Sequence, residues 1–314
     1  MSDHRQPQPA GEVAPETGSE GFGGAETQAS ALGIRVQTQF GDLWRRFLRN
    51  KLAVVGLVMV SIVFLAAVAA PLIAPQDPKV LDLSNTLAEP SSDHWFGTDE
   101  IGRDQFSRVI YGTRIAVTVG LAAILLALVI GVVLGSLSGY LGGAWDAVIM
   151  RIADVFFAFP LIIGAIVIVL VVGRGLTPVV LALGIFSWAT IARLLRSSIL
   201  SVRESEYVEA ARSLGAGRWR IVTRHVLPNS IAPVLVYAMV SVATAIVAEA
   251  SLSYLGVGLP PYVPDWGNMI AAGQKFFGYK DFLWFFPSMA VVFTVLGFVF
   301  VGDGLRDALD PRLR

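Results

Sequence analysis

Cysteine is absent from the 314 residues, lysine occurs four times and histidine three times, and charged residues make up only 15% of the chain. Without cysteine there are no disulfides, no thiolate metal ligands and no cysteine nucleophile. The 24 basic residues are matched by 24 acidic ones. That balance removes the basic excess a nucleic-acid partner requires. None of the lysines, Lys51, Lys79, Lys275 and Lys280, follows a glycine. A phosphate-binding Gly-Lys-Ser/Thr loop is therefore excluded, and with it this route to hydrolysing a nucleotide.

Apolar residues fill the gap, at 54% of the chain. Six runs free of Asp, Glu, Lys and Arg stand out, at 52–76, 115–145, 155–173, 175–192, 226–248 and 282–302. Crossing the hydrocarbon of a bilayer takes about 20 mostly apolar residues, and each run is close to or above that length. A soluble amphipathic helix would interrupt such runs with polar residues every three or four positions. A membrane β-barrel would show alternating segments of about 10 residues. The expected fold is an all-α polytopic membrane protein with six transmembrane helices. Pro71, Pro160, Pro178 and Pro287 fall in or beside these runs, and the one at 175–192 is the shortest.

Residues 1–33 differ in kind, being rich in Gly, Gln, Ala and Glu and net acidic, and they read as a disordered tail. The tail has neither the basic start nor the apolar centre of a signal peptide. With six spans both termini share one side. That side carries 1–51, a 146–154 turn, the 193–225 loop and 303–314, which together hold 17 of the basic residues against 7 on the other side. The excess of Arg and Lys places both termini in the cytoplasm.

The 193–225 loop is charged and patterned. Tyr207, Ala210, Ala211 and Leu214 recur at i, i+3, i+4 and i+7, with Glu206, Glu209 and Arg212 on the opposite face. Ser201 with Glu204, or Ser205 alone, is placed to cap this helix, and Gly215 stops it. A second short helix follows, with Trp219, Val222 and Val226 on one side, ended by Leu227-Pro228. The result is a two-helix knob whose apolar stripe must pack on the ends of its own spans, on a partner, or on both.

The run EYVEAARSLGAGRWRIVTRHVLPN resembles the Glu-Ala-Ala motif of binding-protein-dependent ABC importer permeases, through Glu209, Ala210, Ala211, Gly215, Leu227 and Pro228. His225 stands where the general pattern has an aliphatic residue, as in the peptide-transporter branch. HWFGTDEIGRDQFSRVIYGTR at 94–114, LSYLGVGLPPYVPDWGNMI at 252–270 and GDGLRDALDPRLR at 302–314 resemble the C-type subunit of dipeptide and oligopeptide importers.

The resemblance covers roughly residues 40–314 and implies a type I ABC importer permease fold. It divides the chain into the tail 1–33, a first helix and external loop at 34–114, a five-helix core at 115–303 with its coupling loop at 201–228, and a cytoplasmic end at 304–314. It also implies the company the chain keeps in a bacterial or archaeal cytoplasmic membrane: a second homologous permease subunit, two ATP-binding subunits that use ATP and Mg, and an external substrate-binding protein. No cofactor is expected in this chain. The six knob residues are then the ATPase-coupling site.

Outside the knob, Glu249 ends the fifth uncharged run about 30 Å from its start, near the external interface. With Asp265 and Trp266 it forms a candidate external gate or loop anchor, and Trp266 and Trp284 fit interfacial anchors. His94 lies among Asp93, Asp99 and Asp104, which reads as an ordinary polar loop rather than a metal site. No residue presents a catalytic constellation, Ser138 having no positioned histidine. Peptide is the favoured solute, nickel or another small solute the alternative. An ion-coupled secondary transporter would show midplane charges and paired broken helices, which the sequence does not display.

Overall fold

The computed structural model describes residues 39–309, so the 1–33 tail and the last five residues of 304–314 lie outside it. Helices build the fold: α1 (Gln39–Arg49), α2 (Lys51–Ile73), α3 (Gln105–Leu141), α4 (Gly143–Ala158), α5 (Leu161–Val172) and α6 (Leu176–Val202). They are followed by α7 (Glu206–Ser213), α8 (Arg218–Ile221), a π-turn (Val222–Val226), α9 (Leu227–Ser230), α10 (Ala232–Tyr254), α11 (Trp266–Gln274) and α12 (Phe282–Leu309).

Five of these, α2, α3, α6, α10 and α12, are long and apolar enough to cross a membrane. The pair α4 and α5, bent by 91° at its break, makes a sixth span if the two together count as one crossing. The run expected at 155–173 is broken at Pro160. Pro160 has no N–H and crowds the residue before it, so Phe159 is extended at φ −101° and ψ 128°. Only the 12 residues of α5 follow the break, about 18 Å of rise against the roughly 30 Å of hydrocarbon.

Three other expectations shift. The 146–154 turn is helical, because the chain reverses earlier, at Gly142 and Gly143, whose φ values are +66° and +55°. The 175–192 run extends to Val202, and Pro178 sits in the first turn, where backbone N–H groups have no helical partner to lose. Residues 105–114, read as external loop, are the first turns of α3. Asp104 starts that helix by accepting a hydrogen bond from the Ser107 N–H at 2.8 Å.

Glycines let the long helices approach closely. On α3, Gly131, Gly135 and Gly139 face α6, and a Cβ on Gly135 would stand 2.7 Å from the Ala192 carbonyl oxygen. Spacing every fourth residue stacks these glycines on one helix face, the small-residue packing typical of membrane helices. The terminal spans meet through Gly304 of α12, which lies against Ala53 and Phe47. Asn50 caps α2 by accepting from the Leu52 and Ala53 N–H groups, and its amide donates to Asp307 at 2.8 Å. Leu65, Val68 and Leu72 of α2 point away from the protein and suit a lipid or protein neighbour.

Candidate functional site

The knob sits at the end of α6. Val208, Ile221 and Val226 are fully buried and pack with Leu195 and Ile199 of α6, Ala127 of α3 and Val234 of α10. Burying an aliphatic side chain of this size stabilises by about 1.5–3 kcal/mol, so three of them fix the knob firmly to its spans. Displacing the knob must then move α6 and α10.

The expected apolar stripe of α7 faces outward, as does Trp219 of the second helix, whereas Val226 of the second helix packs on the spans. Tyr207 is 46% exposed, Leu214 88% and Trp219 79%. On α7 it is Val208, off the stripe, that turns inward. Glu209 is exposed and has no cationic partner among the described residues. Arg203, Arg212 and Arg218 line a cavity of about 650 Å³ beside Tyr140 and Glu204. The element therefore presents apolar side chains ringed by charge.

Its backbone is as the sequence indicated at one end and different at the other. Ser205 occupies the cap position of α7, but its hydroxyl donates back to the Val202 carbonyl at 2.6 Å. Gly215 has φ +80°, its N–H donates to the Arg212 carbonyl at 3.0 Å, and the Ala216 N–H donates to Ala211 at 3.1 Å. This pair of bonds closes a left-handed helix cap that favours glycine. Leu227-Pro228, expected to end the second helix, lies within a helical path that continues to Ser230. The missing Pro228 N–H is absorbed by the wide π-turn. There the Leu227 N–H donates to Val222, and the Asn229 side chain donates to the His225 carbonyl at 2.6 Å.

Glu249, Asp265 and Trp266 come together at the far end of α10. Both carboxyl groups are 1% exposed. The Asn268 N–H donates to Asp265 Oδ2 at 3.0 Å, and the Ser253 hydroxyl donates to Glu249 Oε1 at 3.0 Å. Ser253 also accepts from the Leu259 N–H at 3.1 Å, tying the 255–265 loop to α10. Trp266 is 2% exposed and donates to the Val109 carbonyl at 2.9 Å. It is a buried pin between α11 and α3, which corrects the reading of an interfacial anchor. Trp284 is half-buried and donates to Asp281 at 2.9 Å.

Burial lifts the Asp265 carboxyl above the ordinary carboxylate range, against the hydrogen bonds that favour its charge. A carboxyl raised on folding contributes stability that is complete below its unfolded pKa of about 3.9 and is lost as pH rises through the folded value. Asp265→Asn keeps an acceptor for Asn268 and removes the buried charge. We expect it to flatten the fall in thermal midpoint that sets in as pH rises above the unfolded pKa of about 3.9. The same pH slope in both proteins would contradict this account.

Several polar contacts were not legible in the sequence. Arg196 grips Asp146 at 2.5 and 2.6 Å, Ser138 donates to the same carboxylate, and Arg193 reaches Asp154 at 2.8 Å while lying 4.1 Å over the Phe157 ring. These contacts span up to 50 positions of sequence. His94 pairs with Asp104 at 2.9 Å, which orders the start of α3.

Long apolar helices, a bent span and a protruding two-helix element anchored on two spans define a membrane transport subunit. The chain belongs to the family of binding-protein-dependent transport system inner membrane components, whose model matches residues 131–314. A second model, the N-terminal transmembrane domain of oligopeptide transport permease C, matches residues 38–90. The oligopeptide transport system permease protein OppC of Bacillus subtilis is 43% identical over 87% of this chain and 91% of its own. The glutathione transport system permease protein GsiD of Escherichia coli is 41% identical over 89% and 93%. Among solved structures, the MetNI methionine ABC transporter in inward-facing conformations matches with a TM-score of 0.55, at 19% identity over 65% of this chain and 97% of that one. This last likeness concerns the fold. The chain is thus a multi-pass permease subunit of an ABC importer, a class that works in complex with other transporter subunits.

Proposed function

We propose that this permease moves di- or oligopeptides into the cell, driven by ATP that partner subunits hydrolyse with Mg. The peptide reading is supported by the two permease relatives, one named for oligopeptides and one for glutathione, itself a tripeptide. In the assembled importer a second homologous permease completes the pore, two ATP-binding subunits meet the knobs, and an external binding protein delivers the solute. Both termini are cytoplasmic, in line with the excess of Arg and Lys on that side. In the division at 34–114, 115–303 and 304–314, the coupling loop 201–228 belongs to the core. Glu249, Asp265 and Trp266 anchor the external loop that borders the gate.

One observation carries the coupling role: Tyr207, Leu214 and Trp219 are exposed on an element outside the long spans, while Val208 and Ile221 hold it down. An apolar patch rimmed by charge is the composition of a docking surface. Glu209, Ala210, Ala211, Gly215, Leu227 and Pro228 shape and position that patch.

Co-purification with the ATP-binding subunit tests this reading. Leu214→Asp combined with Trp219→Asp should lower the retained ATPase at least about 10-fold, because buried aromatic anchors carry about 2 kcal/mol or more of binding. Undiminished retention of the ATPase by the double variant would overturn the docking role. Uptake of peptide rather than nickel by the intact importer tests the solute.

A further inference from the structure

Beside the Phe159-Pro160 break, helices α4, α6 and α10 enclose a cavity of about 260 Å³ that the coupling role leaves unused. One wall is aromatic. Phe156 stands edge-on to Phe186 and to Trp188, with ring centroids 5.4 and 5.5 Å apart, and Phe159 completes it. The lining also carries hydroxyl groups, Ser187 and Thr190 from α6 and Tyr237, Ser241 and Thr244 from α10. Among the described residues, no Asp, Glu, Lys, Arg or His lines the space.

The hydroxyls lie deep in the spans. Ser187 is about 16 Å of helical rise from the Leu176 end of α6, and Ser241 about 14 Å from the Ala232 end of α10. The Thr190, Tyr237 and Thr244 hydroxyls have no hydrogen-bond partner among the described residues, and hydrocarbon would offer them none; a broken span would likewise leave its free backbone groups unmet. Polar side chains and interrupted helices at this depth belong on a solvated path or a protein interface. Ser187 and Ser241 already donate to the Leu183 and Tyr237 carbonyls at 2.7 and 2.8 Å, so their oxygens remain as acceptors.

The chemistry of this lining indicates what fits within it. Every peptide residue except proline offers one N–H and one carbonyl whatever its side chain, and a hydroxyl can donate to one and accept from the other. A neutral lining does not sort solutes by charge, and aromatic faces accept varied side chains. We propose that this cavity is a substrate-contact site on the translocation path, in which Thr190, Tyr237, Ser241 and Thr244 meet the main-chain amides of a peptide and the phenylalanine wall takes its side chains. The proposal rests on the peptide reading above.

The chain's lack of cysteine makes the test direct, since Thr190→Cys or Thr244→Cys supplies the only thiol in this subunit. The complete importer, with its partner subunits, is reconstituted and treated with a charged, water-soluble methanethiosulfonate, with and without alanine tripeptide under transport. Both cysteines should label from water, several-fold more slowly with the peptide present. The labelled importer should lose at least about 10-fold in uptake. Thr190→Val with Thr244→Val should raise KM about 5-fold, the effect of one net hydrogen bond. That rise should be equal for alanine tripeptide and for tripeptides with charged or aromatic side chains.

A thiol closed to water, or labelled without effect on uptake, would overturn the site, as would a KM change confined to one kind of side chain. If the unaltered importer moves no peptide at all, the peptide reading fails by itself. Persistent labelling at both positions would then place the cavity on the path of another solute and overturn its assignment to peptide amides.

Discussion

Gly215→Pro is expected to abolish ATP-driven uptake while leaving the spans folded in the membrane. Gly215 has φ +80°, and its N–H donates to the Arg212 carbonyl at 3.0 Å. Proline is fixed near φ −65° and has no N–H, so both features are lost, at a cost of about 3 kcal/mol or more. The damage stays local, because a side chain at Gly215 meets nothing within 4 Å, and Val208, Ile221 and Val226 still hold the knob to α6. What changes is the angle between α7 and α8, and with it the surface offered to the ATPase.

Glu209→Lys probes the same coupling with almost no structural cost, since the side chain is exposed and surface changes of this kind stay within about 0.5 kcal/mol. Uptake should drop at least about 10-fold, with ATP hydrolysis continuing but unresponsive to loaded binding protein. Gly217→Ala, at φ −64° in open space, should behave as the unaltered protein. Normal uptake by both Gly215→Pro and Glu209→Lys would end the coupling account.

The knob also shows what periodicity does and does not reveal. A repeat at Tyr207, Ala210, Ala211 and Leu214 identifies an apolar face, and Gly215 identifies the stop. Direction is another matter, because the same repeat suits a face packed on the protein's own spans or one turned to a partner. Val208 decides it: a single valine outside the repeat fills the space over Leu195 and Ile199 and turns the stripe outward. The continuation through Leu227-Pro228 was hidden for a related reason. A proline reads as a helix end unless a wider turn and a side chain such as Asn229 meet the freed carbonyls.

Apolar runs gave the spans because hydrocarbon imposes one length on every crossing. They did not reveal the bend at Phe159-Pro160, since hydropathy is blind to backbone direction. Nor could they pair Glu249 with Asp265, or Asp146 with Arg196, contacts that only the folded chain creates. Trp266 misled for the opposite reason. An indole near a span end ordinarily marks the membrane interface, but here its N–H finds a carbonyl on α3 and the ring is buried.

Gly135→Ile is expected to produce a large loss of stability in the spans. Its Cβ would stand 2.7 Å from the Ala192 carbonyl oxygen and 3.0 Å from the Ala192 Cα, both backbone atoms that no side-chain rotation can move aside. Gly131 lies equally close to Ile191 one turn away, and Gly139 abuts Ile199. The two helices therefore have to separate along their length. Overpacking costs about 1–3 kcal/mol where neighbours can adjust, and here the isoleucine side chain and backbone contacts put it at about 3 kcal/mol or more. Gly135→Ala should cost less but remain measurable. The check is the thermal midpoint of the detergent-solubilised importer together with its uptake. Because α6 carries Leu195 and Ile199, the residues that seat Val208, prising it from α3 should also loosen the knob. Uptake should then fall further than the amount of folded importer does. An unchanged midpoint in Gly135→Ile would mean that α3 and α6 do not meet as closely as the glycines require.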